Sequence, residues 1–169
     1  MARILIVGGG CRGLLLAAQM MGAGHAVRIT TRSPAGRDAI EATGAECYLG
    51  TPDRLASLRA ALESVTIACW LLGGARGSEE QLVALHSSRL SYFLGQAIDT
   101  TVRGFVYEAA GATVPREVLA EGTRTVRELG ARNAIPVAIL SEDPGDTGSW
   151  LASARGALDA LLGSGPARL

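Results

Sequence analysis

The chain has 169 residues, 48% of them apolar, with sixteen acidic and sixteen basic side chains and a formal net charge of zero. That length fits one domain and that apolar content excludes a disordered chain, while the charge balance argues against a broad nucleic-acid surface, which needs a basic excess. All sixteen basic residues are arginine, so no lysine can form a Schiff base or tune a catalytic tyrosine.

Short runs rich in Val and Ile alternate with helical patterns, the rhythm of βαβ units around a parallel sheet. The first strand is expected at Arg3–Val7, followed by a helix from about Cys11 to Met21 that ends at Gly22-Ala23-Gly24. A second strand, Ala26–Thr31, leads through a helix near Ala35–Thr43 to a third strand, Glu46–Leu49, and a helix at about Asp53–Leu62. The fourth strand is Val65–Leu71, closed by Gly73-Gly74 and followed by one long helix over Glu79–Thr100. A fifth strand, Gly104–Ala109, a helix over Pro115–Arg132 with Pro at N1, a sixth strand, Ile135–Leu140, and a helix over Ser149–Leu162 complete the pattern. The tail Gly163–Leu169 reads as frayed. The fold class expected is α/β: a Rossmann-type doubly wound sheet of about six parallel strands in the order 3-2-1-4-5-6, with helices on both faces. Residues 1–169 read as a single domain, with no separate substrate domain.

Cys11, Cys47 and Cys69 form no CxxC pair, which speaks against a metal site or a disulfide framework and for a reducing cytoplasm. The first ten residues lack the longer apolar region of a signal peptide, and no stretch approaches the ~20 apolar residues of a membrane span.

Gly8-Gly9-Gly10-Cys11-Arg12-Gly13 matches G-x-G-x-x-G directly after Ile4-Leu5-Ile6-Val7 and at the start of an apolar helix, the context that gives this motif its meaning. Gly8 is expected to make the tight turn, Gly10 to let a pyrophosphate approach the backbone and Gly13 to let helix and strand pack closely. The helix N-terminus presents free N–H groups to the phosphates, and Arg12 adds a charge-assisted contact. NAD-binding forms carry an acid about 20 residues further on. Here the second strand ends Thr30-Thr31-Arg32-Ser33, with no carboxylate before Asp38. Arg32, with the Thr31 and Ser33 hydroxyls, suits a 2′-phosphate, so NADP(H) is expected over NAD(H); the alternative is that Arg32 is an ordinary surface residue.

From Arg3 to Leu72 the chain resembles the N-terminal half of the short-chain dehydrogenase/reductase family, in its atypical or extended, epimerase/dehydratase-like branch. The glycine turn, Gly24-His25-Ala26-Val27, the Thr31-Arg32-Ser33 end and the stretch from Gly44-Ala45-Glu46 to Leu55-Ala56-Ser57-Leu58 carry the likeness, and Arg103-Gly104-Phe105-Val106-Tyr107 extends it to the fifth strand. The resemblance implies an NAD(P) cofactor and cofactor contacts at Gly8, Gly10, Arg12, Gly13, Thr31, Arg32, Ser33 and Gly73. Three departures stand out. Thr51 takes the place of the family's adenine-binding acid, the fifth strand ends Glu108-Ala109-Ala110-Gly111 where the family has Ser or Thr, and Thr113–Arg124 holds neither Tyr nor Lys. The family's proton relay therefore cannot form, and little remains of its substrate-binding C-terminal portion.

Gly73-Gly74, Tyr107, Glu108 and Ser141-Glu142-Asp143 are expected on the rim at the strand ends, where ligands of such folds sit. Glu108, as an acid/base if burial raises its pKa, and Tyr107, positioning a carbonyl, are the candidate catalytic residues. Against this, Tyr107 reads as a half-buried strand aromatic and Glu142 and Asp143 as a solvated loop. His25 reads as structural or solvated, His86 as a surface histidine, Cys69 as core filler, and Trp70 and Trp150 as packing residues. Apolar stripes on the long helix (Leu82, Leu85, Leu90, Phe93, Leu94, Ile98) and on the later one (Val118, Leu119, Val126, Leu129) suggest a homodimer, unless they pack on their own sheet. Two functional classes follow: a slow NADPH-dependent reductase, or a non-catalytic NADP(H)-binding redox sensor or partner subunit.

Overall fold

A computed structural model describes residues 1–164. Six strands form one sheet, β1 (Arg3–Gly8), β2 (Ala26–Thr31), β3 (Glu46–Leu49), β4 (Ile67–Leu71), β5 (Phe105–Glu108) and β6 (Val137–Leu140). They are parallel throughout, in the expected order β3-β2-β1-β4-β5-β6. The helices are α1 (Gly10–Gly22), α2 (Arg37–Glu41), α3 (Glu79–Leu85), α4 (Ser88–Ile98), α5 (Arg116–Arg132) and α6 (Thr147–Gly163).

Successive strand side chains point to opposite faces, and both faces here are covered, which is why the central strands read as unbroken apolar runs rather than as alternation. Ile4 and Ile6 face Leu16, Met20, Trp150 and Leu158 on one side. Leu5 and Val7 face Trp70, Phe93, Phe105 and Val126 on the other. Ile4, Leu5, Ile6 and Val7 are all fully buried, each contributing roughly 1.5–3 kcal/mol. Trp70 meets Phe93 at 4.9 Å between ring centroids, and Cys69 is buried in β4.

Several expected helices take other forms. Residues 53–62 form two 3₁₀ turns, Leu55–Leu58 and Ala60–Leu62, instead of one α-helix. The Ser57 hydroxyl lies 2.6 Å from the Arg54 carbonyl and accepts from Thr51 N–H at 2.9 Å; such side-chain to backbone bonds compete with a helical ladder. The helix near residues 35–43 shrinks to a 3₁₀ turn, Pro34–Gly36, and the short α2. The long helix breaks at His86-Ser87, where the Ser87 hydroxyl donates back to the Val83 carbonyl at 2.6 Å and His86 turns into the interior. Pro115 sits at the N-cap of α5, one position before the expected N1. Asp146 caps α6 by accepting from Ser149 N–H at 3.1 Å, so that helix begins two residues early. Of the tail read as frayed, Gly163 closes α6, and positions 165–169 lie outside the described residues.

The stripes read as a dimer face are mostly consumed within the chain. Leu82, Leu85, Leu90, Phe93, Leu94, Leu119 and Val126 are all buried in its own core.

Candidate functional site

The turn between β1 and α1 is set by three consecutive glycines with φ of 85°, 85° and 52° at Gly8, Gly9 and Gly10, a conformation that side chains with a Cβ rarely adopt. Gly9 N–H donates to the Leu71 carbonyl at 2.7 Å, and Gly13 N–H to that of Gly9 at 2.9 Å. A Cβ on Gly8 would lie 2.5 Å from the Leu71 oxygen, and one on Gly13 would lie 3.2 Å from the Gly8 oxygen, so the turn is packed from within. Toward Gly10 the space is open, with no atom within 4 Å of where its Cβ would stand. The N–H groups of Gly10, Cys11 and Arg12 fall in the first helical turn, where no intrahelical carbonyl can accept from them.

Two clefts flank the turn. One, of about 370 Å³, is lined by Leu14, Ile29, Ala39 and Ile40 with Thr31 and Arg32 at its edge. The other, of about 420 Å³, lies against Gly8–Arg12 and Leu71, Leu72, Gly74 and Ala75. A cradle of glycine N–H groups between an apolar slot and a more polar one fits a dinucleotide, with its diphosphate at the turn. At the apolar slot, the Thr31 hydroxyl is 3.0 Å from the Ser33 carbonyl, to which it donates. Ser33 is exposed, and Arg32 Nη1 stands 3.8 Å from Asp53. Thr51 does not replace the adenine-binding acid freely: its N–H is held by Ser57 and its hydroxyl accepts from Asp53 N–H at 3.3 Å.

On the other side, the rim is closed by a network that sequence reasoning missed. Glu108 is 1% exposed. Its Oε1 accepts from Gly73 N–H at 2.8 Å, and its Oε2 accepts from the Trp150 indole at 2.8 Å and from Arg12 Nη2 at 3.3 Å. The Arg12 guanidinium also lies over the Trp150 ring, 5.2 Å from its centroid, a cation–π contact. So Arg12, expected on the phosphates, reaches inward to a carboxylate, and the Gly73 N–H, expected on the cofactor, is already donated. Trp150 has a polar role beyond packing.

Tyr107 is fully buried rather than half-buried. Its hydroxyl is 2.8 Å from His86 Nδ1, and His86 Nε2 is 3.2 Å from the Leu72 carbonyl. A carbonyl only accepts, so Nε2 carries the proton and Nδ1 accepts from the tyrosine. Burial pushes the His86 pKa from its ordinary 6.5 down to about 4, against a smaller upward pull from the Leu72 carbonyl. Burial, with the Glu108 charge adding to it, raises that of Tyr107. The surface histidine expected from the sequence is thus a fully buried one. Gly122 on α5 makes room for Tyr107, since a Cβ there would lie 2.0 Å from the tyrosine hydroxyl.

The segments leaving β4 and β5 touch backbone to backbone: a Cβ on Gly111 would lie 1.7 Å from the Gly73 oxygen. This contact stands between the cleft at Leu72 and Gly74 and a separate hollow of about 420 Å³ at Ala109, Ala110, Gly111, Arg116, Leu119 and Ser141. Glu142 and Asp143 are exposed, with Asp143 accepting from Gly145 N–H at 2.8 Å. His25 Nδ1 accepts from Ala2 N–H at 3.3 Å. Among the described residues no group of three metal-ligating side chains occurs, and no helix is long and apolar enough to cross a membrane.

A parallel sheet in this order, with its glycine turn after β1, is the doubly wound Rossmann fold. Among solved structures, the chain is similar to the Citrobacter triphenylmethane reductase complexed with NADP(H), with 18% identity, a TM-score of 0.62 and coverage of 82% of this chain and 48% of that one. It is similar also to an Agrobacterium tumefaciens short-chain dehydrogenase/reductase superfamily protein with bound NAD (19% identity, TM-score 0.66, 98% and 63% covered). A third is the Thermotoga maritima UDP-glucose 4-epimerase with UDP-glucose (10% identity, TM-score 0.67, 81% and 54% covered). The chain therefore spans about half to two thirds of their length. No protein-family model and no curated protein matches its sequence.

Proposed function

We propose that this chain binds a nicotinamide dinucleotide at the turn Gly8–Gly13, NADP(H) in preference to NAD(H). One observation carries the reading: three left-handed glycines hold free helix N–H groups between two clefts of dinucleotide scale. The bound forms named for the Citrobacter and Agrobacterium proteins support a nicotinamide dinucleotide in this fold, and Arg32 at the end of β2 supports the 2′-phosphate. Of the expected contacts, Gly8, Gly10 and Gly13 shape the cradle, and Thr31, Arg32 and Ser33 border the apolar slot. Arg12 and Gly73 serve by holding its other wall in place. Calorimetry is expected to show tighter binding of NADPH than of NADH, with Arg32→Ala removing most of the difference, about tenfold for one exposed charge-assisted contact. A folded sample that binds neither nucleotide would refute the proposal.

When bound, the cofactor supplies hydride transfer as its own chemistry. The chain's part is to hold it, because Glu108 and Tyr107 are both buried and engaged. The activity proposed is a slow NADPH-dependent reduction of easily reduced acceptors such as quinones or flavins, in which NADPH gives the hydride and water the accompanying proton. Tyr107→Phe is expected to leave that rate within about twofold, read as NADPH absorbance; a general acid/base contributes typically 10²–10⁴-fold, so a loss of that size would place Tyr107 in the chemistry. The engagement of Glu108 by three donors favours a second reading as well, a non-catalytic NADP(H) sensor or partner subunit. Self-association, if it uses the α3–α4 side, rests on Val83 and Tyr92, which are 43% and 55% exposed.

A further inference from the structure

The ion pair made by Arg32 belongs to a larger group. Asp53, just after β3, places Oδ2 3.8 Å from Arg32 Nη1 and Oδ1 2.5 Å from Arg89 Nη1 on α4. Arg76, between β4 and α3, lines a small pocket of about 50 Å³ together with Arg32, Asp53 and Gln81, and it makes no ion pair among the described residues. Segments far apart in the sequence thus bring two guanidinium groups onto the Asp53 carboxylate and a third, that of Arg76, into the lining of the pocket beside it.

Three features of this group point to an anion. The positive charges outnumber the negative, and a local excess of one sign raises the concentration of the opposite ion. The pocket is several times the ~10–15 Å³ that one water needs, which suits a single tetrahedral oxyanion and no ring. Arg32 lines both this pocket and the apolar slot beside the glycine turn, so the anion would be carried on the same ligand. Asp53 itself is 49% exposed and its partner Arg32 65%. An ion pair that open is weak, and a phosphate, with more charge and more acceptor oxygens, can displace it.

We propose that Arg32 and Arg76 form one site selecting a 2′-phosphate, with Asp53 as an internal competitor that sets the strength of the preference and Arg89 holding part of that carboxylate away from Arg32. The inference rests on the dinucleotide reading above and adds three residues to Arg32. The test is calorimetry with NADPH and NADH separately, on the wild-type chain and on Asp53→Asn, Arg76→Ala and Arg89→Ala, with thermal midpoints recorded alongside. Asp53→Asn is expected to raise the NADPH-to-NADH affinity ratio about fivefold, and each arginine variant to lower it about five- to tenfold, with NADH affinity constant within about twofold. Asp53→Ser repeats the measurement if the asparagine variant melts lower. An unchanged or lowered ratio in the Asp53 variants overturns the proposal, since Asp53 would then orient the arginines and not compete for them. Arginine variants without effect overturn it too. If the wild type binds neither nucleotide, the reading of the turn fails. If it prefers NADPH through Arg32 alone, only the present inference fails.

Discussion

Glu108→Ala is expected to destabilise the chain by about 3–5 kcal/mol, the range for removing one partner of a buried ion pair. The carboxylate is 1% exposed and serves three donors from distant segments. Alanine leaves the Gly73 N–H and the Trp150 indole buried without an acceptor, each costing about 1–3 kcal/mol, and opens a cavity besides. Arg12 loses less, because its side chain is 23% exposed and can turn to water. Glu108→Gln should fall between the two, since its carbonyl oxygen still serves one donor while its NH₂ faces others. Trp150→Phe, which removes one donor to the buried carboxylate and keeps most of the packing, should cost less, about 2–3 kcal/mol. Urea unfolding midpoints provide the measurement. An alanine variant within about 1 kcal/mol of wild type would mean that the three donors have other acceptors.

Acid is expected to weaken the fold through His86 before most carboxylates titrate. Its pKa in the folded chain is about 4, below the ordinary 6.5, so between those values the unfolded chain binds the extra proton and the folded chain does not. Stability is then complete above about pH 6.5, falls as pH drops through the window, and loses nothing more from this group below about pH 4. The full loss is about 3 kcal/mol at 1.36 kcal/mol per pKa unit. His86→Gln keeps a donor and an acceptor but cannot titrate, so the difference between the two stability curves isolates the histidine from the carboxylates common to both. Urea midpoints taken from pH 4 to 8 should diverge below pH 6.5, and parallel curves would show that His86 reaches solvent. The alkaline limb has the opposite cause. The Tyr107 pKa is raised by burial, so its share of stability is present below the ordinary tyrosine value and is lost as pH rises beyond it.

Among the elements, six parallel strands, their order and the glycine turn are already written in the sequence. Each follows from a local requirement: apolar runs short enough for strands, helical spacing between them, and glycines where φ must be positive. The same local logic failed at residues 53–62 and 86–87, where single hydroxyls of Ser57 and Ser87 redirect the backbone and helical periodicity does not register them. The inner wall of the site lay further out of reach. Arg12 and Glu108 are 96 residues apart, and Tyr107 and His86 are 21 apart across different elements. Local patterning placed Arg12 on a phosphate and His86 on the surface because a side chain's partner is chosen by whatever the sheet brings beside it. Only the packing of β4, β5 and α6 around the turn decided that the carboxylate at the end of β5 would hold the arginine of the glycine motif, since a buried charge must find its partner in space.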